Sequence, residues 1–345
     1  MLLCPAMAHA ETTATEADLR QIGRSGGGLR RMADRFGDRA LLGLTALASL
    51  AAVALIALVI DRVVAGSMPS ISKFGLGFLW HTTWNPSLSS GVRDSNVFGA
   101  GVLVYGTLVT SAIALLIAVP LGIAIGVYLS MLSSGRLAAV IGPLVELLAS
   151  VPSVIIGLWG IVVLAPFLHS TIEPALHSAL GWTAIFGEPG TTGLGIFNAG
   201  VVLSIMVLPI IAAITRDLFL NVPRELKEGA LALGATRWEM IRTVVLHSTR
   251  SGIIAATILG LARALGEAIA VTQTIGAGTA IKASLFANGD TLGSRIAEQF
   301  IGAVSKLQVS SLFYCALILL VMELMANIGA QLIAGRYARL QGAVR

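Results

Sequence analysis

Six long apolar stretches, separated by short polar segments, dominate the pattern of hydrophobic and polar positions along this chain. A run of about 20 apolar residues is long enough to cross the hydrocarbon core of a bilayer as a helix. The pattern predicts an all-α integral membrane protein with six transmembrane helices. The predicted spans are Leu41–Ile60, Gly101–Val127, Ala138–Leu168, Leu194–Ile214, Ile253–Ile275 and Leu312–Ile333. Pro143 and Pro152 interrupt the third stretch, so we expect that span to be bent or split.

The composition agrees with a membrane protein. Hydrophobic residues make up 56% of the chain and charged residues 12%, whereas soluble domains carry about 25% charge. Neither Cys4 nor Cys315 has metal-ligand spacing around it, and we expect no disulfide. The start of the chain lacks a basic segment and a long apolar core, so it does not predict a signal peptide. The five histidines are scattered and are expected at the surface, without a metal site.

The distribution of basic residues predicts the orientation. Sixteen Lys and Arg residues fall on the side of the termini and of segment 216–250, and six fall on the other side. Because the richer side faces the cytoplasm, both termini are expected to be cytoplasmic. Residues 1–38 are then a flexible cytoplasmic tail, 39–98 the first transmembrane helix with an external loop, and 338–345 a cytoplasmic C-terminal tail. Loops 66–98 and 170–193 are expected outside.

One of the predicted spans contains an arginine. Arg263 lies near the middle of the fifth stretch, and Glu267 follows four residues later. A charged side chain at the bilayer centre costs roughly 2.5–3.5 kcal/mol on insertion scales and is rare without a function. Residues four apart share one helix face, so both side chains can reach one cavity. This pair indicates a pathway for an anion, although a purely structural ion pair is the alternative interpretation. Glu146 lies in the third span close to the cytoplasmic face, where water can hydrate it. Glu323 lies deeper, and it either lines the pathway or forms a hydrogen bond to a neighbouring helix.

The polar segment between the fourth and fifth stretches predicts two short helices. Pro223 suits the first turn of a helix, and Glu225 and Glu228 suit its N-terminal end. Gly234 is a suitable C-terminal stop, and a second amphipathic helix is expected with Trp238, Ile241 and Val245 on one side. A helix–glycine–helix of this kind can transmit force to a soluble partner. Trp238 either contacts that partner or anchors the segment at the membrane interface.

Two motifs in this region carry a family resemblance. Glu228-Gly229-Ala230, Gly234 and the later Val244-Val-Leu246 resemble the EAA loop of ABC importer permeases, with Gly229 in place of an alanine and His247 in place of a proline. Leu-Ala-Arg263-Ala-Leu-Gly-Glu267-Ala-Ile-Ala-Val-Thr resembles a segment of the PstC family of phosphate permease subunits. Segments around Trp84-Asn-Pro86, Tyr105-Gly-Thr and Glu146-Leu-Leu-Ala-Ser-Val-Pro152 resemble the same family in the same order.

The resemblance implies a type I ABC importer permease with the MetI-like fold over residues 99–337, including a coupling loop at 216–247. It implies that Arg263 and Glu267 line the phosphate pathway and that Glu228, Gly229, Ala230, Gly234 and Trp238 couple it to an ATPase. The implied partners are a second, PstA-like permease, two PstB-like ATPase subunits and an extracytoplasmic PstS-like phosphate-binding protein. No cofactor is implied.

Other functional classes fit the sequence less well. A membrane enzyme would need a catalytic group of residues, and the sequence offers none besides Arg263 and Glu267. A channel would not need the segment 223–246. No Gly-Lys pair is present to form a phosphate-binding loop, so ATP hydrolysis must belong to another chain. A permease for another oxyanion, molybdate or sulfate, is the nearest alternative; it would share the coupling loop but not the Arg-Ala-Leu-Gly-Glu segment.

Overall fold

The computed structural model describes residues 27–86, 97–133 and 135–342. The chain divides into two compact units, Met1–Arg62 and Val63–Arg345. Helix α1 (Gly27–Phe74) begins in the first unit, and its residues 37–62 are exposed along their whole length. Residues 27–38, assigned above to the tail, are therefore helical, while residues 1–26 lie outside the described part.

The second unit consists mainly of helices. Its helices are α2 (Gly101–Leu132), α3 (Gly135–Ala149), α4 (Ser153–Leu180), α5 (Ile196–Leu220), α6 (Arg224–Ala232), α7 (Arg237–Ser248), α8 (Arg250–Leu265), α9 (Ile269–Thr274), α10 (Leu292–Gln299) and α11 (Lys306–Gly342). Strands β1 (Trp84–Asn85) and β2 (Val97–Phe98) form a short antiparallel pair, with Trp84 opposite Phe98.

The number of candidate spans agrees with the predicted fold class. In the described residues, the helices long and apolar enough to cross a membrane are α1, α2, α4, α5 and α11. Helices α7 and α8 meet at a bend of 70° and add a sixth span if they are counted together. The chain is therefore an all-α, multi-pass membrane protein.

The third predicted stretch is split at Pro152, as expected, but the span itself is wrong in its position. Helix α3 ends at Ala149, and the helix that is long enough to span begins at Ser153 and continues to Leu180. Pro152 is responsible for the break, because its extended backbone (ψ 135°) cannot continue a helix and instead places it at the N-cap of α4. The predicted external loop 170–193 therefore starts as helix, and so does the first part of loop 66–98, because α1 extends to Phe74.

The fifth predicted span is also different from the continuous helix that the apolar pattern suggested. Helix α8 starts at Arg250 and ends at Leu265, and α9 starts only at Ile269. The three residues between them, Gly266 to Ala268, are not helical. By contrast, α2 and α5 continue through Pro120 and Pro209 without a break.

The core of the second unit lies where α2 packs along α5. Small residues allow the close approach: a Cβ on Gly122 would lie 2.8 Å from Ile211, and one on Gly200 would lie 2.6 Å from Ile113. Such small residues are typical of membrane helix interfaces, because packing rather than hydrophobic burial drives association in lipid. Buried Ala264 and Val271 join the same apolar cluster, so the core supports both sides of the break between α8 and α9.

A second cluster fixes the segment that follows α9. The ring of Phe78 stacks on Tyr314 at 4.5 Å, and Phe98 and Leu292 pack beside them. Asp290 and Arg295, both buried, form an ion pair there. Burial raises the pKa of Asp290, against the opposing effects of Arg295 and of hydrogen bonds from Ser294 and Thr291. Arg295, one of the six basic residues counted on the external side, is thus a buried partner of Asp290.

Candidate functional site

The break between α8 and α9 places the two charged residues of the fifth span. Gly266 caps α8 by donating its N–H to Ala262, and glycine is a weak helix former at which the regular structure can stop. Beyond the break, the Glu267 carboxylate accepts a hydrogen bond from the N–H of Ala270 at 3.3 Å. That N–H is one of the first-turn donors of α9, which no backbone carbonyl satisfies. Glu267 therefore starts α9 as well as carrying charge.

Arg263 and Glu267 form the ion pair that their spacing predicts. Nη2 of Arg263 lies 3.2 Å from Oε2 of Glu267. The two side chains differ in burial, with 48% of the arginine side chain exposed and only 5% of the glutamate. A buried carboxylate needs a charge partner, and Glu267 has one. Within the described residues, no other carboxylate lies within 4 Å of the guanidinium, so much of its donor fork faces outward.

The other two acidic residues singled out in the spans have different surroundings. Glu146 on α3 pairs with Arg216 on α5 at 3.0 Å, and its side chain is 56% exposed. Glu323 on α11 lies instead at the break, because a Cβ on Gly266 would be 3.0 Å from its Oε1. The break is thus flanked by Arg263, Glu267 and Glu323. Discontinuous helices at membrane depth are typical of substrate sites in transporters.

Close packing holds the break in place. A Cβ on Gly293, in the first turn of α10, would lie 3.2 Å from the carbonyl oxygen of Glu267. On the other side, a Cβ on Gly157 of α4 would lie 2.9 Å from the Cα of Ala270. Larger side chains at either glycine would displace the break, so the position of the ion pair depends on residues that make no polar contact with it.

The first helix of the predicted coupling segment has the expected ends. Pro223 is the N-cap of α6, one residue earlier than the first helical position. At the other end Gly234 has φ +88°, its N–H donates to Leu231, and the N–H of Ala235 donates to Ala230. These two bonds form a Schellman motif, the usual way in which a glycine terminates a helix.

Lys227 ties this helix to the membrane domain. Its Nζ donates to the backbone carbonyl of Phe219 at the end of α5, at 3.0 Å. Burial lowers the pKa of Lys227, and the nearby charge of Arg224 lowers it further. Ala230 packs against the buried cluster of Phe219, Ile241 and Val245 beneath. A force on α6 would therefore be transmitted to α5 and α7.

The second helix of the segment departs from the prediction at Trp238. Thr236 and Glu239 form a reciprocal capping box that starts α7. Ile241 and Val245 are buried as expected, but Trp238 is 65% exposed and does not share their face. Trp238 lies in the first turn of α7, before the wider π-helical turn that residues Ile241–Val245 form.

The outward surface of the coupling segment contains most of its predicted contact residues. Glu228, Gly229, Gly234 and Trp238 are exposed, and Ala230 is half-buried. Leu233, beside the terminating glycine, is 91% exposed. Leu233 and Trp238 thus expose large apolar side chains at the end of α6 and the start of α7.

Comparison with known proteins agrees with this arrangement. The model of the family described as "binding-protein-dependent transport system inner membrane component" matches residues 118–339. The phosphate transport system permease protein PstC of Mesorhizobium japonicum is 46% identical over 261 residues, covering 74% of this chain and 77% of that protein. This chain belongs to the PstC family.

Two further PstC proteins match over greater lengths. The PstC protein of Pasteurella multocida is 40% identical to this chain, and the match covers 83% of this chain and 88% of that protein. PstC 1 of Mycobacterium tuberculosis is 37% identical, and the match covers 92% of this chain and 96% of that protein. A crystal structure of a bacterial alginate ABC transporter has a TM-score of 0.56 at 17% identity, covering 88% of this chain and 98% of that one. The likeness shows the fold alone, that of a MetI-like ABC permease.

Sequence reasoning placed some polar groups incorrectly. His169 and His177 were expected at the surface but are half-buried. His169 Nδ1 lies 3.3 Å from the buried Glu173, and His177 Nδ1 lies 2.9 Å from the carbonyl of Phe186. The four-residue spacing of His169 and Glu173 on one helix face was the available signal.

Proposed function

We propose that this chain is the membrane-spanning subunit of an ATP-driven importer of inorganic phosphate and that the ion passes Arg263. The observation that carries the proposal is the half-exposed guanidinium of Arg263, held by Glu267 at a break in a spanning helix. Phosphate near neutral pH bears more than one negative charge, and removing its hydration without a counter-charge is very unfavourable. A guanidinium supplies a permanent charge and a planar fork of donors that fits phosphate oxygens.

In this mechanism Glu267 holds Arg263 between transport events. Its carboxylate and the incoming phosphate compete for the same donors, because both are oxyanions. Binding of phosphate weakens the 3.2 Å contact, and departure of phosphate lets it re-form. Glu267 stays in place meanwhile, since its second oxygen accepts from Ala270.

The proposed assembly contains a second, PstA-like permease, two PstB-like ATPase subunits and an extracytoplasmic PstS-like binding protein. Both termini and the α6–α7 segment face the cytoplasm, in keeping with the excess of basic residues on that side. Glu228, Gly229, Ala230, Gly234 and Trp238 form the surface that docks on the ATPase. The chain itself hydrolyses no ATP.

Uptake of radiolabelled phosphate in cells that lack this gene, complemented with the chain or its variants, tests the proposal. Arg263→Gln is expected to abolish uptake while the complex still assembles, and Arg263→Lys to retain part of it because the charge remains without the fork. Arsenate is expected to compete with phosphate for uptake, whereas sulfate and molybdate are not. Normal uptake by the glutamine variant would refute the role of Arg263.

Competition by other anions in the uptake assay distinguishes phosphate from other oxyanions as the substrate. The named relatives are phosphate transport proteins, which argues against a molybdate or sulfate permease. Strong inhibition by sulfate or molybdate, with none by arsenate, would overturn phosphate as the substrate and leave the rest of the assignment standing.

A further inference from the structure

A stripe of polar side chains runs along α11 within its membrane-spanning part. Glu323, Asn327 and Gln331 are spaced four residues apart, so they share one face of the helix. Eight residues at about 1.5 Å each give the stripe a length of about 12 Å. The residues around it, such as Leu324 and Ile328, are apolar.

The two amides of this stripe have no partners within the described part of the chain. Neither Asn327 nor Gln331 makes a hydrogen bond to a described residue, and both are exposed. Unsatisfied amide groups are strongly disfavoured in hydrocarbon, because lipid offers them no hydrogen bonds. In the membrane, this face of α11 must therefore meet water or other polar groups.

The stripe borders a groove that leads away from Arg263. Helices α8 and α11 run antiparallel, with Gly266 beside Glu323 at one end. Further along, a cavity of about 330 Å³ lies between them. Its lining residues are Ile214, Ala255, Ala256, Ile258, Leu259, Asn327, Ala330 and Gln331. Leu259 precedes Arg263 by about one helical turn, so the cavity lies along α8 between Arg263 and the α7 end of the helix.

We infer that the groove between α8 and α11, which Asn327 and Gln331 line and beyond which Glu323 lies beside Gly266, is the exit half of the anion pathway. This inference rests on the proposed function, which places the α7 end of α8 at the cytoplasmic face. Phosphate released by Arg263 moves along the groove toward the α7 end of α8, which begins 13 residues, or about 20 Å, before Arg263.

The chemistry of the stripe suits release rather than storage. The amide NH₂ groups of Asn327 and Gln331 donate hydrogen bonds to phosphate oxygens without adding positive charge. Glu323, beside Gly266, repels the anion and limits how tightly Arg263 can hold it. Conduction needs sites that are favourable enough to enter and weak enough to leave.

The inference is tested by the reactivity of single cysteines in the assembled complex in membrane vesicles. Asn327→Cys and Gln331→Cys are compared with Ile328→Cys and Leu332→Cys, the next residues along α11, which point about 100° away and do not line the cavity. Cys4 is replaced by serine in all chains, and the buried Cys315 is kept. The probe is a small, negatively charged thiosulfonate that reacts only with thiolates in water.

The cysteines at 327 and 331 are expected to react at least tenfold faster than those at 328 and 332. Phosphate is expected to slow the reaction of the cysteines at 327 and 331 severalfold, whereas sulfate is not. Equal rates for all four positions would overturn the inference, since the stripe would then be no more accessible to water than the rest of α11. Fast reaction that phosphate does not slow, in a complex that imports phosphate, would also overturn it. If the complex imports no phosphate, the proposed function fails. In that case only the reaction rate of the groove cysteines tests the groove. Fast reaction would support an aqueous exit for another solute, and slow reaction would refute it.

Discussion

Replacing Gly234 with alanine would show how much the coupling segment depends on one backbone conformation. Gly234 has φ +88°, and a Cβ there would meet nothing within 4 Å, so the substitution has no steric consequence. Its whole effect comes from forcing an L-residue into the left-handed region, which costs about 1–2 kcal/mol. A free-energy change of that size alters a local opening equilibrium by a factor of about 5–30.

The chain offers a matched control five residues earlier. Gly229 is also exposed with nothing within 4 Å of a Cβ, but it lies inside α6. Alanine is better than glycine in a helix interior by about 0.8–1.0 kcal/mol, so Gly229→Ala should stabilise the same helix. One chemical change in one helix is thus expected to have opposite effects at two positions.

Hydrogen exchange of the peptide that contains residues 230–235 measures this directly in the assembled complex. The amides of Gly234 and Ala235, which close the Schellman motif, should exchange about 5–30 times faster in Gly234→Ala and more slowly in Gly229→Ala. Phosphate uptake should fall in Gly234→Ala. Unchanged exchange in Gly234→Ala, or a shift in the same direction in both, would refute the reasoning.

Three further variants test the ion pair, the docking surface and the core. Glu267→Gln keeps the hydrogen bond that starts α9 but removes the charge, so uptake should fall severalfold with normal complex assembly; loss of assembly instead would mean that the role is structural. Trp238→Ala should reduce retention of the ATPase subunit during purification, whereas Trp182→Ala, which is also exposed, should not; equal retention would remove Trp238 from the interface. In Gly106→Ala the new Cβ would lie 1.9 Å from a backbone carbonyl, so overpacking should lower the stability of the complex by about 1–3 kcal/mol in thermal unfolding, while Gly329→Ala, with open space around it, should be nearly neutral.

The hydrophobic pattern was sufficient for the class of fold and for the charged pair. Apolar runs of span length have few alternatives to membrane helices, because backbone groups in lipid must be satisfied within the segment. The position of Arg263 followed from the same argument, since an arginine inside such a run is unfavourable without a task. The terminating role of Gly234 was also predictable, because glycine tolerates the left-handed conformation that ends a helix.

Pro152 predicted that the third stretch would be split, but the hydrophobic pattern misplaced the span and gave no sign that the fifth was broken. Hydropathy averages over many residues, whereas Pro152 and Gly266 end helices through the backbone of single residues. A fixed period of 3.6 residues also does not anticipate the π-helical turn at Ile241–Val245.

The sequence by itself determined that the chain crosses a membrane several times, that Arg263 and Glu267 are paired, and that a helix–glycine–helix segment precedes them. Only the tertiary structure decided that Glu323 joins the pair at Gly266, that Arg295 is a buried partner of Asp290, and that Asn327 and Gln331 border a groove below Arg263. The physical reason is distance along the chain. Contacts four residues apart are set by helix geometry, whereas those between α8 and α11 depend on how the helices pack.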